Sequence, residues 1–145
     1  MVKVFNSEGQ APILLVCEHA TNFIPARFKD LGLTPAQLQS HIAWDPGAIE
    51  TAEAMAEILD APLISATISR LIYDCNRPPD SATAMPLTSE NQIIPGNVDL
   101  SETSKQQRVT NYYRPFEATL SERVVLMGMP LMITVHSFTP VFLSL

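Results

Sequence analysis

Two of the three histidines follow directly on short apolar runs: Glu18-His19 after Ile13–Cys17, and His136-Ser137 after Leu131–Val135. If both runs are strands of one open α/β sheet, both imidazoles lie beyond carboxyl strand ends, where such sheets bind ligands. A lone histidine in that place is most often an ordinary loop residue; two at one sheet edge point to a site. A third group is Arg70, Asn76 and Arg77, clustered in a chain with only 9 Lys+Arg. They read as an anion clamp, since a guanidinium binds a carboxylate bidentately and an amide adds a directional donor, with Asp74 orienting one of the arginines; the alternative is a structural ion pair under a loop. Asp45 reads either as the N-cap of the helix that Pro46 opens or as a carboxylate facing the site, and one residue can do both. His41 reads as an ordinary helix-end histidine.

Two imidazoles and a carboxylate are a set that catalytic zinc uses, with the fourth position left to water. The metal acidifies that water and polarises a carbonyl. With an arginine clamp alongside, the expected chemistry is hydrolysis of an amide close to a carboxylate, as in an acylamino-acid hydrolase or a carboxypeptidase. A thiol or serine hydrolase built on Cys17 or Ser137 is disfavoured. Neither residue sits in a G-x-S-x-G elbow, and adjacent residues of extended chain point to opposite sides.

The elements that must position these groups are visible as pattern. Ile13–Cys17 is a short continuous apolar run, as in a strand buried on both faces. Thr34-Pro35 opens a short helix to about His41, and Asp45-Pro46 opens an amphipathic one to about Asp60. Pro62–Ala66 reads as a second strand, Leu71–Tyr73 as a third and Leu131–Val135 as the last. Between them, 78–97 is a long polar loop, and Ser101 caps a long helix with the stripe Val109, Tyr112, Tyr113, Phe116 and Leu120. Pro115 is expected to kink that helix. The alternation predicts an α/β fold with a mostly parallel sheet.

The chain has 145 residues and a formal charge of −6. An acidic chain without a basic cluster argues against nucleic-acid or anionic-membrane partners. The first residues lack the apolar segment of a secretory signal. Cys17 and Cys75 are then expected as free thiols in a cytoplasmic protein.

Five segments together strongly resemble the N-formylglutamate amidohydrolase family. They are Val16–Pro25, His41–Ala48, Ser69–Pro79, Tyr113–Phe116 and Thr134–Pro140, in that order. The resemblance runs from about Pro12 to Pro140. It implies a zinc-peptidase-like three-layer α/β sandwich and hydrolysis of N-formyl-L-glutamate to formate and L-glutamate, a step of histidine breakdown. It also implies kinship with zinc carboxypeptidases and aspartoacylases. Carried over, zinc would be held by His19 and His136, with catalysis involving Arg70 and His136. The substrate, a small N-acyl amino acid with carboxylates, would be held by Arg70, Asn76, Arg77 and Ser137. The wider group's His-x-x-Glu motif is replaced here by His19-Ala20-Thr21-Asn22, so Asp45 is taken as third ligand, with Asn22 or Glu18 as alternatives. Family members are longer than this chain, and the wider group's late glutamate base has no counterpart before Leu145. Residues 1–145 are therefore read as one incomplete domain, the N-terminal portion of the family fold. The alternative to an active enzyme is an inactive fragment that binds metal and dicarboxylate. A sheet cut in this way would expose an edge, with Val141-Phe142-Leu143 beside it, and favour a homodimer.

Overall fold

The computed structural model describes residues 2–139; the segment Val141-Phe142-Leu143 lies outside them. In chain order, β1 (Val2–Phe5) leads to β2 (Ile13–Cys17), a 3-10 turn (Ala26–Gly32), α1 (Pro35–Gln39), α2 (Ala48–Leu59) and β3 (Leu63–Ala66). A small hairpin of β4 (Thr88–Ser89) and β5 (Gln92–Ile93) follows. Next come α3 (Glu102–Arg108), α4 (Arg114–Leu126) and β6 (Leu131–Thr134).

The main sheet has the order β1-β3-β2-β6. β2 pairs parallel with both β3 and β6, while β1 runs antiparallel to β3. Leu14, Leu15, Val16 and Cys17 are all fully buried, as a central strand between two packed faces requires. Their side chains alternate. Leu14 and Val16 join Ile64, Val109, Tyr112 and Phe116 in one apolar cluster. Leu15 and Cys17 join Leu63, Ala48, Ala52 and Ala56 in the other. Helices therefore cover both faces, and the alanine stripe of α2 lets that helix lie close on the sheet. Burying a leucine or valine of β2 contributes roughly 1.5–3 kcal/mol.

The capping signals hold in part. Thr34 caps α1 in a reciprocal capping box with Gln37, and Ser101 caps α3 by accepting from the Ser104 N–H. Asp45 does not cap α2; that position is Gly47, at φ +80°, a left-handed backbone open to glycine at little cost. The kink expected at Pro115 takes the form of a π turn over Val109–Tyr113, in which the Arg114 N–H donates to the Val109 carbonyl. The wider turn precedes the residue that cannot donate.

Two further corrections concern strands. Leu71–Tyr73 is buried but is a turn. The Ser69 hydroxyl donates to the Ala43 carbonyl at 2.7 Å and accepts from the Leu71 N–H, and the Ile72 N–H returns to the Ser69 carbonyl. Burial, not sheet pairing, explains the apolar residues there. β1 was not anticipated, because its half-exposed residues give no continuous apolar signal. The long polar loop holds the β4–β5 hairpin and a 3-10 turn, Pro95–Asn97.

Candidate active site

β2 and β6 end side by side, so the residues that follow them meet. His19 and His136 stand with ring centroids 4.9 Å apart. Asp45 comes from the segment before α2, and its backbone N–H donates to the His19 carbonyl at 3.0 Å. That bond pins the aspartate across the strand end. Asp45 Oδ2 lies 3.3 Å from His19 Nδ1 and 2.9 Å from His136 Nδ1. The Ser137 N–H donates to the same oxygen at 3.4 Å.

The outer nitrogens of both rings also face carboxylates. His19 Nε2 is 2.7 Å from Asp74 Oδ1, and His136 Nε2 is 3.5 Å from Glu18 Oε2. Each imidazole thus turns Nδ1 to the shared Asp45 and Nε2 to an outer acid. Arg70 bridges the two aspartates, with Nη1 3.4 Å from Asp45 Oδ1 and Nη2 3.0 Å from Asp74 Oδ2. His19, Asp45, Asp74 and Glu18 are all buried. Burial pulls the His19 imidazole down, yet the bonds to Asp45 and Asp74 outweigh it and hold the group above its ordinary value. Burial pushes the Asp45 and Asp74 carboxyls up, but His19 and Arg70 hold both below the usual range, joined by His136 at Asp45.

His19, Asp45 and His136 form a possible metal-binding cluster, with donor atoms all within 4.8 Å of one another. The donor set fits zinc. Tetrahedral zinc with bonds near 2.0–2.1 Å would space its ligand atoms by about 3.3 Å, close to the distances from Asp45 Oδ2. A carboxylate on the far nitrogen of a histidine is a common support for a metal ligand, since it fixes the tautomer; Asp74 gives His19 that bond, while Glu18 faces His136 at 3.5 Å without one. Charge points the same way. Three buried carboxylates formally face one permanent cation, Arg70, and Glu18 Oε2 has no hydrogen-bond partner among the described residues. A divalent cation balances that excess.

A cavity of about 340 Å³ opens beside this cluster, lined by Asp45, Arg70, Asp74, Arg77 and Ser137 together with the β4–β5 hairpin. Arg77 lies exposed, and among the described residues no carboxylate pairs with it. Asn76 is placed otherwise than expected: it is exposed, does not line the cavity, and engages the cluster through its backbone N–H to Asp74 Oδ1. Asn22 stands apart too, its amide donating to the Leu38 carbonyl. His41 follows α1 and does more than end it. Its Nε2 meets Glu90 of the hairpin at 2.9 Å across the cavity rim. The sequence pattern did not give Asp74 and Glu18 as partners of the histidines, nor the hairpin as a wall; Asp74, four residues after Arg70, offered the only local signal. Cys17 and Cys75 are buried free thiols that burial pushes up to about 12, which removes Cys17 as a nucleophile at neutral pH.

The family model described as N-formylglutamate amidohydrolase matches residues 11–145. The crystal structure of a gene product from Agrobacterium tumefaciens superimposes with a TM-score of 0.95 at 44% sequence identity. The match covers 99% of this chain and 59% of that one. No curated protein matches the chain.

Proposed function

The chain belongs to the N-formylglutamate amidohydrolase family, and from that premise we propose that it forms the site of a zinc-dependent hydrolase of N-acyl amino acids. The preferred substrate is N-formyl-L-glutamate, cleaved to formate and L-glutamate. The observation that carries the reading is the convergence of His19, Asp45 and His136 beside a cavity holding Arg70 and Arg77. His19, Asp45 and His136 would hold zinc, which would supply a Lewis acid to polarise an amide carbonyl and acidify a water. Asp74 holds the outer nitrogen of His19, so that its Nδ1 lone pair faces inward, and Asp45 faces the Nδ1 of His136. Arg70, fixed between two aspartates, stands where it can stabilise developing negative charge. Arg77, exposed at the cavity and with its guanidinium held, among the described residues, only by a 3.4 Å bond to the Asn76 carbonyl, can turn its fork to a substrate carboxylate. The zinc-peptidase-like relationship of the fold and a cytoplasmic setting, which suits two free thiols, belong to the same reading.

Elemental analysis of the purified protein is expected to find zinc, lost in His19→Ala and in His136→Ala. Formate release from N-formyl-L-glutamate is expected to need that zinc, and Arg77→Gln should raise KM by roughly tenfold or more, the loss of one charge-assisted contact. Zinc bound without any formate in a single-turnover assay would instead favour a binding-only protein. Activity that persists in a chelated, zinc-free sample would overturn the metal-dependent reading.

A further inference from the structure

A second cavity of about 340 Å³ lies between the 3-10 turn and the α3 helix with its π extension, apart from the site above. Two of its wall residues are Arg27 and Arg108. Both guanidiniums lie against one ring, that of Phe28, at 4.9 and 5.0 Å from its centroid. Among the described residues no carboxylate comes within 4.0 Å of either, and no acidic residue lines the cavity. In a chain of net charge −6, two cations sharing a wall without an acid are conspicuous.

Arg108 is only 4% exposed. Its Nη1 donates to Asn97 Oδ1 at 2.7 Å and to the Ile72 carbonyl at 3.1 Å, while Nη2 reaches only the Gly96 carbonyl, at 3.4 Å. The head is thus held rigid by neutral acceptors, with its charge uncompensated. A buried, uncompensated cation is costly, and the same cavity holds a second one, Arg27. Arg27 donates to the Tyr112 hydroxyl, and the uncharged polar residues Ser104, Gln107 and Asn111 also line the cavity. A carboxylate has two oxygens, which one arginine fork satisfies. A phosphate has three free oxygens and close to two charges, matching two guanidiniums with neutral donors around them.

We propose that this cavity binds the phosphate group of inorganic phosphate or of a small phosphate monoester, independently of the hydrolytic site. The test is calorimetric titration of the metal-free protein carrying Arg77→Gln, which removes the unpaired cation of the other cavity. The probes are inorganic phosphate, glycerol phosphate and, as a dicarboxylate control, glutarate. Saturable phosphate binding is expected, weakened at least about tenfold by Arg27→Gln, as loss of one charge-assisted contact implies. Asn111→Asp, a same-shape change on an exposed residue, should abolish it by placing a carboxylate on the wall. Tighter binding of the monoester than of phosphate would identify an esterified ligand, and the reverse would identify the free ion. No saturable phosphate binding, binding untouched by both variants while circular dichroism shows them folded, or equal binding of glutarate would overturn the proposal.

Discussion

Asp45 touches both imidazoles and Arg70, so the charge state of the site turns on its neighbours as much as on itself. Without metal, His19 is held above its ordinary value, while Asp45 and Asp74 are held below theirs. A raised histidine contributes stability that is complete below its unfolded value, about 6.5, and lost as pH rises through the folded one. A lowered aspartate contributes stability that is complete above about 3.9 and lost as pH falls through its folded value. The pairing therefore stabilises the metal-free protein most between about pH 4 and 6.5. Thermal melts of wild type and Asp74→Asn across pH are expected to differ most in that window, and a Tm difference independent of pH would contradict the pairing. At this scale the sequence was informative where a residue's neighbours in the chain define its place. His19 and His136 stand at strand ends, and Asp45 stands at the start of a helix segment. It was silent on Asp74 and Glu18 as histidine partners, because those contacts come from packing between distant segments. Asn76 was named for its position beside Arg77, and it lies outside the cavity lining, joined to the cluster by its backbone N–H.

Among the elements, the turn into α2 sets the aim of Asp45. Gly47 has a left-handed backbone, and a Cβ there would meet nothing within 4 Å. The cost of Gly47→Ala is then one of backbone alone, about 1–2 kcal/mol. Gly128 is a matched control, with φ +69° and equally open space but a place far along the chain from Asp45. Both alanine variants should lower Tm to a similar extent, whereas only Gly47→Ala should weaken zinc affinity, as read by competition with a chelating dye. Equal zinc affinity in the two variants would show that this turn does not position the carboxylate. The strands β2 and β3 and the helix α2 could be read from pattern because they bury a continuous run or an alanine stripe, and β6 because its sequence run is apolar although half of it stays exposed. Leu71–Tyr73 could not, since a buried turn and a short buried strand share the same apolar signature. β1 and the β4–β5 hairpin gave too little apolar contrast to register.

On the scale of the whole molecule, the parallel core of the sheet was legible in the alternation of elements, but the strand order and the antiparallel β1 were not. Nothing local in Val2–Phe5 encodes which neighbour it will meet. Among the described residues the order leaves β6 at one edge, with Leu131 64% and Met132 49% exposed. An apolar edge of this kind favours pairing with another strand, and a homodimer joined there would dissociate on Met132→Lys, measurable by sedimentation. The same edge strand also carries His136 into contact with Asp45, 91 positions earlier in the chain. A cation gripped by both would therefore act as a clasp closing a loop of 91 positions, and clasps that close long loops restrain the open state most. Amide exchange in β6 should slow on zinc addition far more than in β1, the opposite edge, and equal slowing at both edges would deny the clasp. Occupancy of the metal site would then be readable as the seating of the last strand.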